Sequence, residues 1–346
     1  MHYQTKNIRM PFITDLQKYK SLSIVGLEKN TGKTVCLNYV LNRLHAIGKK
    51  TAVTSIGIDG ERVDQVFGSH KPEIILYDGM QFITSEKHYS GRQLLSKVIA
   101  VDSDSTALGR LITAEVVCSG KVLLSGASTT EKLRSQINYF VSNGLDITIV
   151  DGALSRLSLA SPSVTDAMIL CTGAAVSPNL RQLILKTKFT FDLINLEMIN
   201  NSLLTDKLSK ISSGIWCVDS DDNIFDLDIP SVFLLEKTTK DIFQHGDTLY
   251  VSGAVSDKLL KYLTTKKNIA NQTLIVRDFT KLFITPEMYN TYTKKGGKIR
   301  VLQQSKLIAV CLNPTSPNGY TIDSAEACKK LSESLEVPVW DIMKIE

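Results

Sequence analysis

The sequence lacks several features that would place it in a common class of protein. Among its 346 residues, no apolar run approaches the length needed to cross a bilayer. The five histidines are scattered without metal-ligand spacing, and neither a Cys-x-x-Cys pair nor a Gly-x-Ser-x-Gly motif occurs. These absences argue against a membrane-spanning protein, a zinc site and a serine hydrolase with a nucleophile elbow.

The cysteines and residues 1–20 indicate the cellular compartment of the protein. The six cysteines lie far apart, and most of them fall within apolar strand-like or helix-like patterns. We therefore expect buried free thiols and no disulfide framework. Residues 1–20 mix charged residues with isolated apolar ones, so a secretory leader is not expected. Together these observations predict a soluble, cytoplasmic protein that does not associate with a membrane.

The charge of the chain says little about partners. The formal net charge is +5, and basic residues are concentrated between Lys258 and Lys306. The simplest interpretation is that these basic residues face solvent. The alternative is that they bind an acidic protein or a nucleic acid. Because the overall charge is mild, the sequence favours a protein partner over nucleic acid.

One short stretch carries most of the functional information. Residues 26–34 read Gly-Leu-Glu-Lys-Asn-Thr-Gly-Lys-Thr, between the apolar run Leu22–Val25 and a helical pattern over Lys33–Ile47. A strand, a glycine-flanked turn ending in Gly-Lys-Thr and a helix predict a phosphate-binding loop, or P-loop. Its backbone N–H groups would hold an anion, Lys33 would reach the terminal phosphates of ATP, and Thr34 would ligate Mg²⁺. The expected nucleotide-binding residues are Gly26, Glu28, Lys29, Asn30, Thr31, Gly32, Lys33, Thr34 and Val35.

Acidic residues after predicted strands complete a candidate magnesium site. Asp151 ends the apolar run 146–151, and Asp59 ends the predicted strand 51–58, with Glu61 in reserve. Since the carboxyl ends of parallel strands share one edge of a sheet, we expect Thr34, Asp59 and Asp151 to converge on one metal ion. Lys29 is a further candidate cation for the transferring phosphate, within its own subunit or across a dimer. The expected catalytic residues are Lys33, Asp59, Asp151 and Lys29.

The alternation of strand and helix patterns predicts an α/β fold. We expect a doubly wound, mostly parallel sheet in a P-loop domain over residues 1–185, with helices that include 94–101 and 108–117. Residues 186–346 are predicted to form a second C-terminal α/β region that faces a partner. Near its end, residues 313–320 form a rigid loop with two prolines, for which a purely structural role and contacts to a ligand or a partner both remain open.

The loop and the two acids resemble a known branch of P-loop NTPases. The spacing Gly26-x5-Gly32-Lys33-Thr34, with five residues between the glycines instead of four, is similar to that of the dethiobiotin synthetase and MinD-type branch, over about residues 21–175. The resemblance implies Mg²⁺ held by Thr34, Asp59 and Asp151, and often a homodimer. Glu28 stands where MinD-like loops carry a trans-acting lysine, and Lys29 is shifted by one position.

A second resemblance covers nearly the whole chain. Besides the P-loop, the stretches Thr54–Glu61, Asp151-Gly152-Ala153 and the late Asn313-Pro314-x-Ser316-Pro317-x-Gly319-Tyr320 resemble the P-loop subunit of the lysine 5,6-aminomutase reactivase family. This resemblance implies an ATP-driven factor that helps to remove damaged cobalamin from a coenzyme B12-dependent lysine aminomutase. It also implies a MutS-like ATPase subunit as a partner.

Three functions remain open at this stage. The first is a Mg-dependent ATPase that remodels a partner protein. The second is a dethiobiotin synthetase-like ligase or kinase acting on a small carboxylate, for which only Arg62, Lys71 and Arg156 are candidate substrate-binding residues. The third is a nucleotide-binding regulatory module with little hydrolysis. The absence of an Asn-Lys-x-Asp sequence favours adenine over guanine.

Overall fold

The computed structural model describes residues 11–56, 73–153, 161–232, 241–266 and 268–345. The chain divides into two compact units, one formed by Met1–Lys188 together with Lys306–Glu346 and the other by Phe189–Ser305. The strands are β1 (Ser21–Gly26), β2 (Thr51–Ser55), β3 (Ile74–Leu76), β4 (Gln81–Ser85), β5 (Gln93–Thr106), β6 (Gly109–Val122), β7 (Ile147–Ala153), β8 (Ala167–Gly173), β9 (Ile215–Val218), β10 (Ile224–Ile229), β11 (Thr248–Val251), β12 (Val255–Ser256), β13 (Thr273–Val276), β14 (Leu282–Phe283), β15 (Lys298–Val301), β16 (Lys306–Asn313) and β17 (Val339–Asp341). The α-helices are α1 (Ile13–Leu16), α2 (Lys33–Ala46), α3 (Glu86–Ser90), α4 (Thr130–Ser142), α5 (Leu180–Ile194), α6 (Ser202–Ser209), α7 (Asp257–Leu263), α8 (Pro286–Lys294) and α9 (Ser324–Leu335).

The first unit is built on a large mixed sheet. Among the described residues its strand order is β17-β16-β8-β1-β7-β2-β4-β6-β3, with β5 paired to β6. The strands from β17 to β4 run parallel, and β3, β5 and β6 pair antiparallel to their neighbours. β1 therefore lies in the interior of the parallel part, and the loop that follows it opens at the carboxyl edge of the sheet. In open α/β sheets, that edge is where ligands bind.

Helices cover both faces of the parallel strands. In β7 the adjacent residues Ile149 and Val150 are fully buried and belong to different hydrophobic clusters, since neighbouring side chains of a strand point to opposite faces. Ile149 lies in the cluster that contains Leu37 and Leu41 of α2, and Val150 lies in the cluster that contains Leu133 of α4. Each buried aliphatic side chain of this kind contributes about 1.5–3 kcal/mol. This packing fixes the start of α2 against the carboxyl end of β1.

The predicted helices over 94–101 and 108–117 are wrong, because these residues form the long antiparallel hairpin β5–β6. Apolar pairs spaced four residues apart, at 94–95 and 98–99, imitate one face of a helix. The structure instead shows the two-residue period of a β-strand, since Ile112, Ala114 and Val116 are buried at every second position of β6. The turn between the strands contains Gly109, whose φ of 91° is costly for most other residues.

The second unit lies within the sequence of the first. Its five-stranded sheet has the order β10-β9-β11-β13-β15, with β11, β13 and β15 parallel, and β12 pairs with β14 beside it. This agrees with the expected second α/β region. The predicted boundary placed all of residues 186–346 in that region, but residues 306–346 belong to the first unit. Here β16 pairs parallel with β8 and with β17, because its buried apolar residues 309–312 fill a position in the sheet of the first unit.

The architecture is thus α/β, with a mixed and mostly parallel central sheet. In the described part of the chain, no helix combines the length and the apolar character that a membrane span requires.

Candidate functional site

The segment after β1 forms a compact loop that leads directly into α2. All residues of β1 are buried, and the backbone N–H of Leu27 donates to the carbonyl of Cys171 at 2.9 Å, which ties the first loop residue to the end of β8. The Thr31 hydroxyl donates to the Glu28 carbonyl at 3.0 Å and closes the turn from within. The N–H of Cys36 then donates to the Gly32 carbonyl at 2.9 Å, so α2 begins immediately after the loop.

Both glycines of the motif are required by the geometry. A Cβ on Gly26 would lie 2.4 Å from the Thr31 hydroxyl oxygen, so a side chain would disrupt the turn. Gly32 has a φ of 83°, and a Cβ there would lie 2.9 Å from the Cβ of Asn313. Asn30 is also left-handed, with a φ of 63°. Left-handed residues at alternate positions bend the backbone in the manner of anion-binding nests.

The loop leaves its backbone donors available. None of the amides from Glu28 through Val35 donates a hydrogen bond to any residue that the structure describes. The side-chain Nδ2 of Asn30 is buried and also has no partner among the described residues. A buried unpaired donor such as the Asn30 Nδ2 costs free energy, and an anion bound at a helix N-terminus accepts hydrogen bonds from donors of both kinds. The arrangement therefore fits a phosphate group.

Lys33 and Asp151 form an ion pair at this edge. The Lys33 Nζ lies 2.9 Å from the Asp151 Oδ1, and the two side chains are 21% and 14% exposed. Asp151 is held in place by its strand, since β7 pairs with β1 on one side and with β2 on the other. The Ser55 hydroxyl donates to the Asp151 carbonyl at 3.2 Å and links β2 to the same point. Both residues were expected in the site from the sequence, and the structure brings them into contact.

The predicted magnesium ligands are only partly within the described residues. Thr34, which is half-buried, lies in the first turn of α2, and Asp151 lies at the carboxyl edge of the sheet. Asp59 and Glu61 lie outside the described residues, as do Arg62, Lys71 and Arg156. Within the described part of the chain, no group of three or more His, Cys, Asp or Glu side chains could hold a metal ion. Thr34 and Asp151 supply the hydroxyl and carboxylate oxygens that suit Mg²⁺.

The other predicted loop residues differ in exposure. Glu28 and Lys29 are exposed, Asn30, Gly32 and Val35 are half-buried, and Gly26 and Thr31 are buried. No described residue pairs with the Lys29 side chain. Lys29 is therefore free to contact a ligand or solvent, and its predicted catalytic role stays a prediction.

Three thiols pack at the base of the loop. Cys36 of α2, Cys171 of β8 and Cys311 of β16 are fully buried, and the Sγ atoms of Cys36 and Cys311 are 3.8 Å apart. Hydrogen bonds from Cys311 and Cys36 lower the pKa of the Cys171 thiol, and the nearby charge of Lys33 acts in the same direction. All six cysteines are free thiols; Cys36, Cys171, Cys217 and Cys311 are buried, as expected, whereas Cys328 is half-buried and Cys118 is exposed.

The late loop, residues 313–320, contacts the loop over residues 26–34, a link that the sequence did not predict. The Asn313 Nδ2 donates to the Asn30 carbonyl at 3.0 Å, and the Asn313 carbonyl accepts from the N–H of Ala174 at 3.0 Å. Asn313 thus joins the loop over residues 26–34 to the ends of β8 and β16. The available signal was the position of an asparagine directly before a proline at the end of a buried strand. Its partner 283 residues away was invisible in the sequence.

We expect Asn313→Ala to weaken nucleotide binding about tenfold, because the Asn30 carbonyl loses its donor and the loop loses one of its supports. Isothermal titration with ATP measures the effect. Asn318→Ala is the matched control, since this exposed asparagine lies in the same late loop and its side chain makes no hydrogen bond to residues 26–34 in the described structure. Equal affinities for the two variants would show that the Asn313–Asn30 hydrogen bond does not support the nucleotide site.

Comparison with known proteins adds no assignment. No protein-family model matches the sequence, and a search of curated proteins found no match.

Proposed function

We propose that this chain is a Mg-dependent ATP-binding and ATP-hydrolysing protein of the P-loop class. The observation that carries the proposal is the set of free amides from Glu28 through Val35 at the start of α2. A row of unpaired backbone donors at a helix N-terminus is an anion-binding site, and the Gly-Lys-Thr sequence at its end favours a polyphosphate. The Lys33–Asp151 pair at 2.9 Å adds a cation that would bind the terminal phosphates and a carboxylate that would ligate Mg²⁺.

The Lys33–Asp151 pair also indicates how the site responds to ATP. In the chain without nucleotide, each charge neutralises the other. A terminal phosphate carries more negative charge than one carboxylate, so it competes for Lys33 and releases Asp151. The released carboxylate and the Thr34 hydroxyl are then available to Mg²⁺, which supplies charge neutralisation for the leaving phosphate when it is bound.

A more specific proposal names the protein partners of this ATPase. We propose that hydrolysis serves the reactivation of a coenzyme B12-dependent lysine aminomutase, with a MutS-like ATPase subunit as a second partner. The sequence resemblance over the P-loop, Asp151-Gly152-Ala153 and the late loop supports this proposal. So does the contact between two of these motifs, in which Asn313 donates to Asn30. The second α/β unit, residues 189–305, is the proposed partner-binding part.

Steady-state phosphate release tests the proposal. The full chain is incubated with Mg-ATP alone, with the aminomutase, and with the aminomutase plus the MutS-like subunit; Mg-GTP and Mg-ATP with small carboxylates serve as comparisons. We expect slow release alone, an increase with the partners, and weaker activity with GTP. Phosphorylated or ligated carboxylate would instead favour the dethiobiotin synthetase-like function. ATP binding without release under any condition would favour a regulatory module.

A further inference from the structure

The second unit contains a large cavity on one face of its five-stranded sheet. The cavity has a volume of about 670 Å³, and the described residues that line it all lie between positions 197 and 304. These positions belong to the second unit, whereas the candidate nucleotide site belongs to the first. Binding sites for small molecules have volumes of about 300–1,000 Å³. The cavity is therefore large enough for a ligand, and the proposed ATPase activity gives it no role.

One face of the sheet forms the floor of the cavity. Val218 of β9 lies opposite Thr248 of β11, and Thr248 lies opposite Thr273 of β13, so these three residues share a face. Ile275 follows two positions after Thr273 on the same face and lies opposite Arg300 of β15. Neither threonine hydroxyl makes a hydrogen bond with a residue that the structure describes. The floor thus combines a buried apolar centre with two hydroxyl groups that are available to a ligand.

A guanidinium lies at one end of this floor. Arg300 forms an ion pair with Glu197, whose carbonyl accepts from the N–H of Val301 at 3.0 Å beside the outer edge of β15. The Arg300 side chain is 32% exposed, and the Glu197 side chain is 75% exposed. A guanidinium has five N–H donors, of which one carboxylate engages at most two. Arg300 makes no other ion pair or hydrogen bond within the described residues, so donors remain for the carboxylate of a ligand.

Carboxylates lie at the opposite end of the cavity, in the turn between β9 and β10. Asp219 accepts from the N–H groups of Asp221 and Asn223 and from the Asn223 side chain, each at 2.9 Å, so both of its oxygens are engaged. Asp222 accepts one hydrogen bond from the described residues, which the Asn201 side chain donates to Oδ2 at 2.5 Å. The Oδ1 of Asp222 is therefore available to a positively charged group of a ligand.

The two charged ends of the cavity are far apart. Three strand-to-strand steps separate β9 from β15, so at about 4.8 Å a step their backbones are about 14 Å apart. An extended chain of three residues spans about 10 Å, which leaves the rest of the gap to the protein side chains. The ammonium and carboxylate of a single α-amino acid are attached to one carbon and span only a small part of it. The spacing therefore favours an elongated ligand.

We propose that this cavity binds an elongated zwitterion, with its carboxylate at Arg300, its ammonium at Asp222 and its middle over the two threonines. A short peptide with free ends has this chemistry, and so does a long-chain ω-amino acid. A plain amine would gain only the contact with Asp222, and a plain carboxylate only that with Arg300, so the zwitterion binds more tightly than either. The Glu197 carboxylate competes for Arg300, but an exposed ion pair of this kind costs little to displace.

Isothermal titration of the full chain without nucleotide tests the cavity. The probes are tri-alanine, its N-acetylated form, its C-amidated form and ω-aminooctanoate. We expect tri-alanine or ω-aminooctanoate to bind, and each blocked form of tri-alanine to bind about tenfold more weakly than the free peptide, because it has lost one charge-assisted contact. The tighter of the two free probes identifies the source of the zwitterion. Binding of neither, or equal binding of free and blocked peptides, would overturn the proposal.

Three substitutions test which residue binds each end of the ligand. We expect Arg300→Gln to weaken tri-alanine binding about tenfold and to leave the affinity for the C-amidated peptide unchanged, since that peptide carries no carboxylate. Asp222→Asn should weaken tri-alanine binding to a similar extent and leave the affinity for the N-acetylated peptide unchanged. Asparagine tolerates the φ of 62° at this position. Glu197→Gln should raise the affinity for tri-alanine, because it removes the competing carboxylate.

The matched controls are Lys298→Gln and Asp221→Asn. Both residues are exposed, they lie on the same strand as Arg300 and in the same turn as Asp222, and neither is among the described residues that line the cavity. Thermal unfolding establishes that each variant is folded. An equal loss in a control and in its tested neighbour would overturn the proposed contacts, as would a loss that persists with the blocked peptides. Because ATP is absent from these titrations, their outcome is independent of the proposed ATPase function.

Discussion

Replacing Lys33 by Ala is expected to weaken ATP binding about 100-fold. The Lys33 ammonium lies at the start of α2, next to the amides of the loop, and it is the described cation best placed to reach a terminal phosphate. A hydrogen bond to a charged group contributes about 1.5–3 kcal/mol, which corresponds to about 10- to 150-fold in affinity. Removal of the lysine also leaves the Asp151 carboxylate without its partner, so that a like charge faces the incoming phosphates.

Isothermal titration with ATP in the absence of Mg²⁺ measures the affinity. Lys29→Ala is the matched control, since Lys29 belongs to the same loop, carries the same charge and is exposed without a partner in the described residues. We expect this control to lose much less affinity than Lys33→Ala. Unchanged ATP affinity in Lys33→Ala would end the interpretation of residues 26–34 as a phosphate-binding loop.

Replacing Asp151 by Asn is expected to lower Mg-dependent ATP turnover about 100-fold or more while it preserves ATP binding without metal. The Asp151 carboxylate is the described acid at this edge that would ligate Mg²⁺. The neutral side-chain amide of Asn is a poorer ligand for Mg²⁺. In the metal-free chain, however, Asp151 competes with ATP for Lys33 at 2.9 Å. Because Asn removes that competition, metal-free affinity should stay equal or increase severalfold.

The opposite directions of these two effects make the experiment diagnostic. Phosphate release with Mg-ATP and titration with metal-free ATP are measured on the same preparation, together with thermal unfolding. Asp146→Asn is a suitable control, because Asp146 also belongs to the β7 region but lies at the other end of the strand, where it accepts from the N–H of Lys50. Equal losses of turnover and metal-free binding in Asp151→Asn would indicate a damaged fold instead of a missing metal ligand.

Local sequence was sufficient for the elements on either side of residues 26–34. The predicted strand Leu22–Val25 and helix Lys33–Ile47 correspond to Ser21–Gly26 and Lys33–Ala46 in the structure. Helix Ser324–Leu335 has the predicted bounds, with Asp323 accepting from the N–H of Glu326 as its cap. These segments agree because propensity, capping residues and apolar period all indicate the same element. In β5 and β6 the apolar spacing suited a helix, but antiparallel pairing of these two consecutive strands, with β4 paired to the other edge of β6, decided against it.

The amino-acid sequence by itself determined the strand, turn and helix around residues 26–34, since the glycines, the lysine and the flanking apolar residues act within about a dozen positions. Only the tertiary structure brought Asp151 to Lys33 and Asn313 to Asn30, and only it returned residues 306–341 to the first sheet. The physical reason is that hydrogen bonds and ion pairs form between groups that are close in space. Pairing of parallel strands brings their ends together, but the order of the strands in the sheet cannot be read from the periodicity of the sequence.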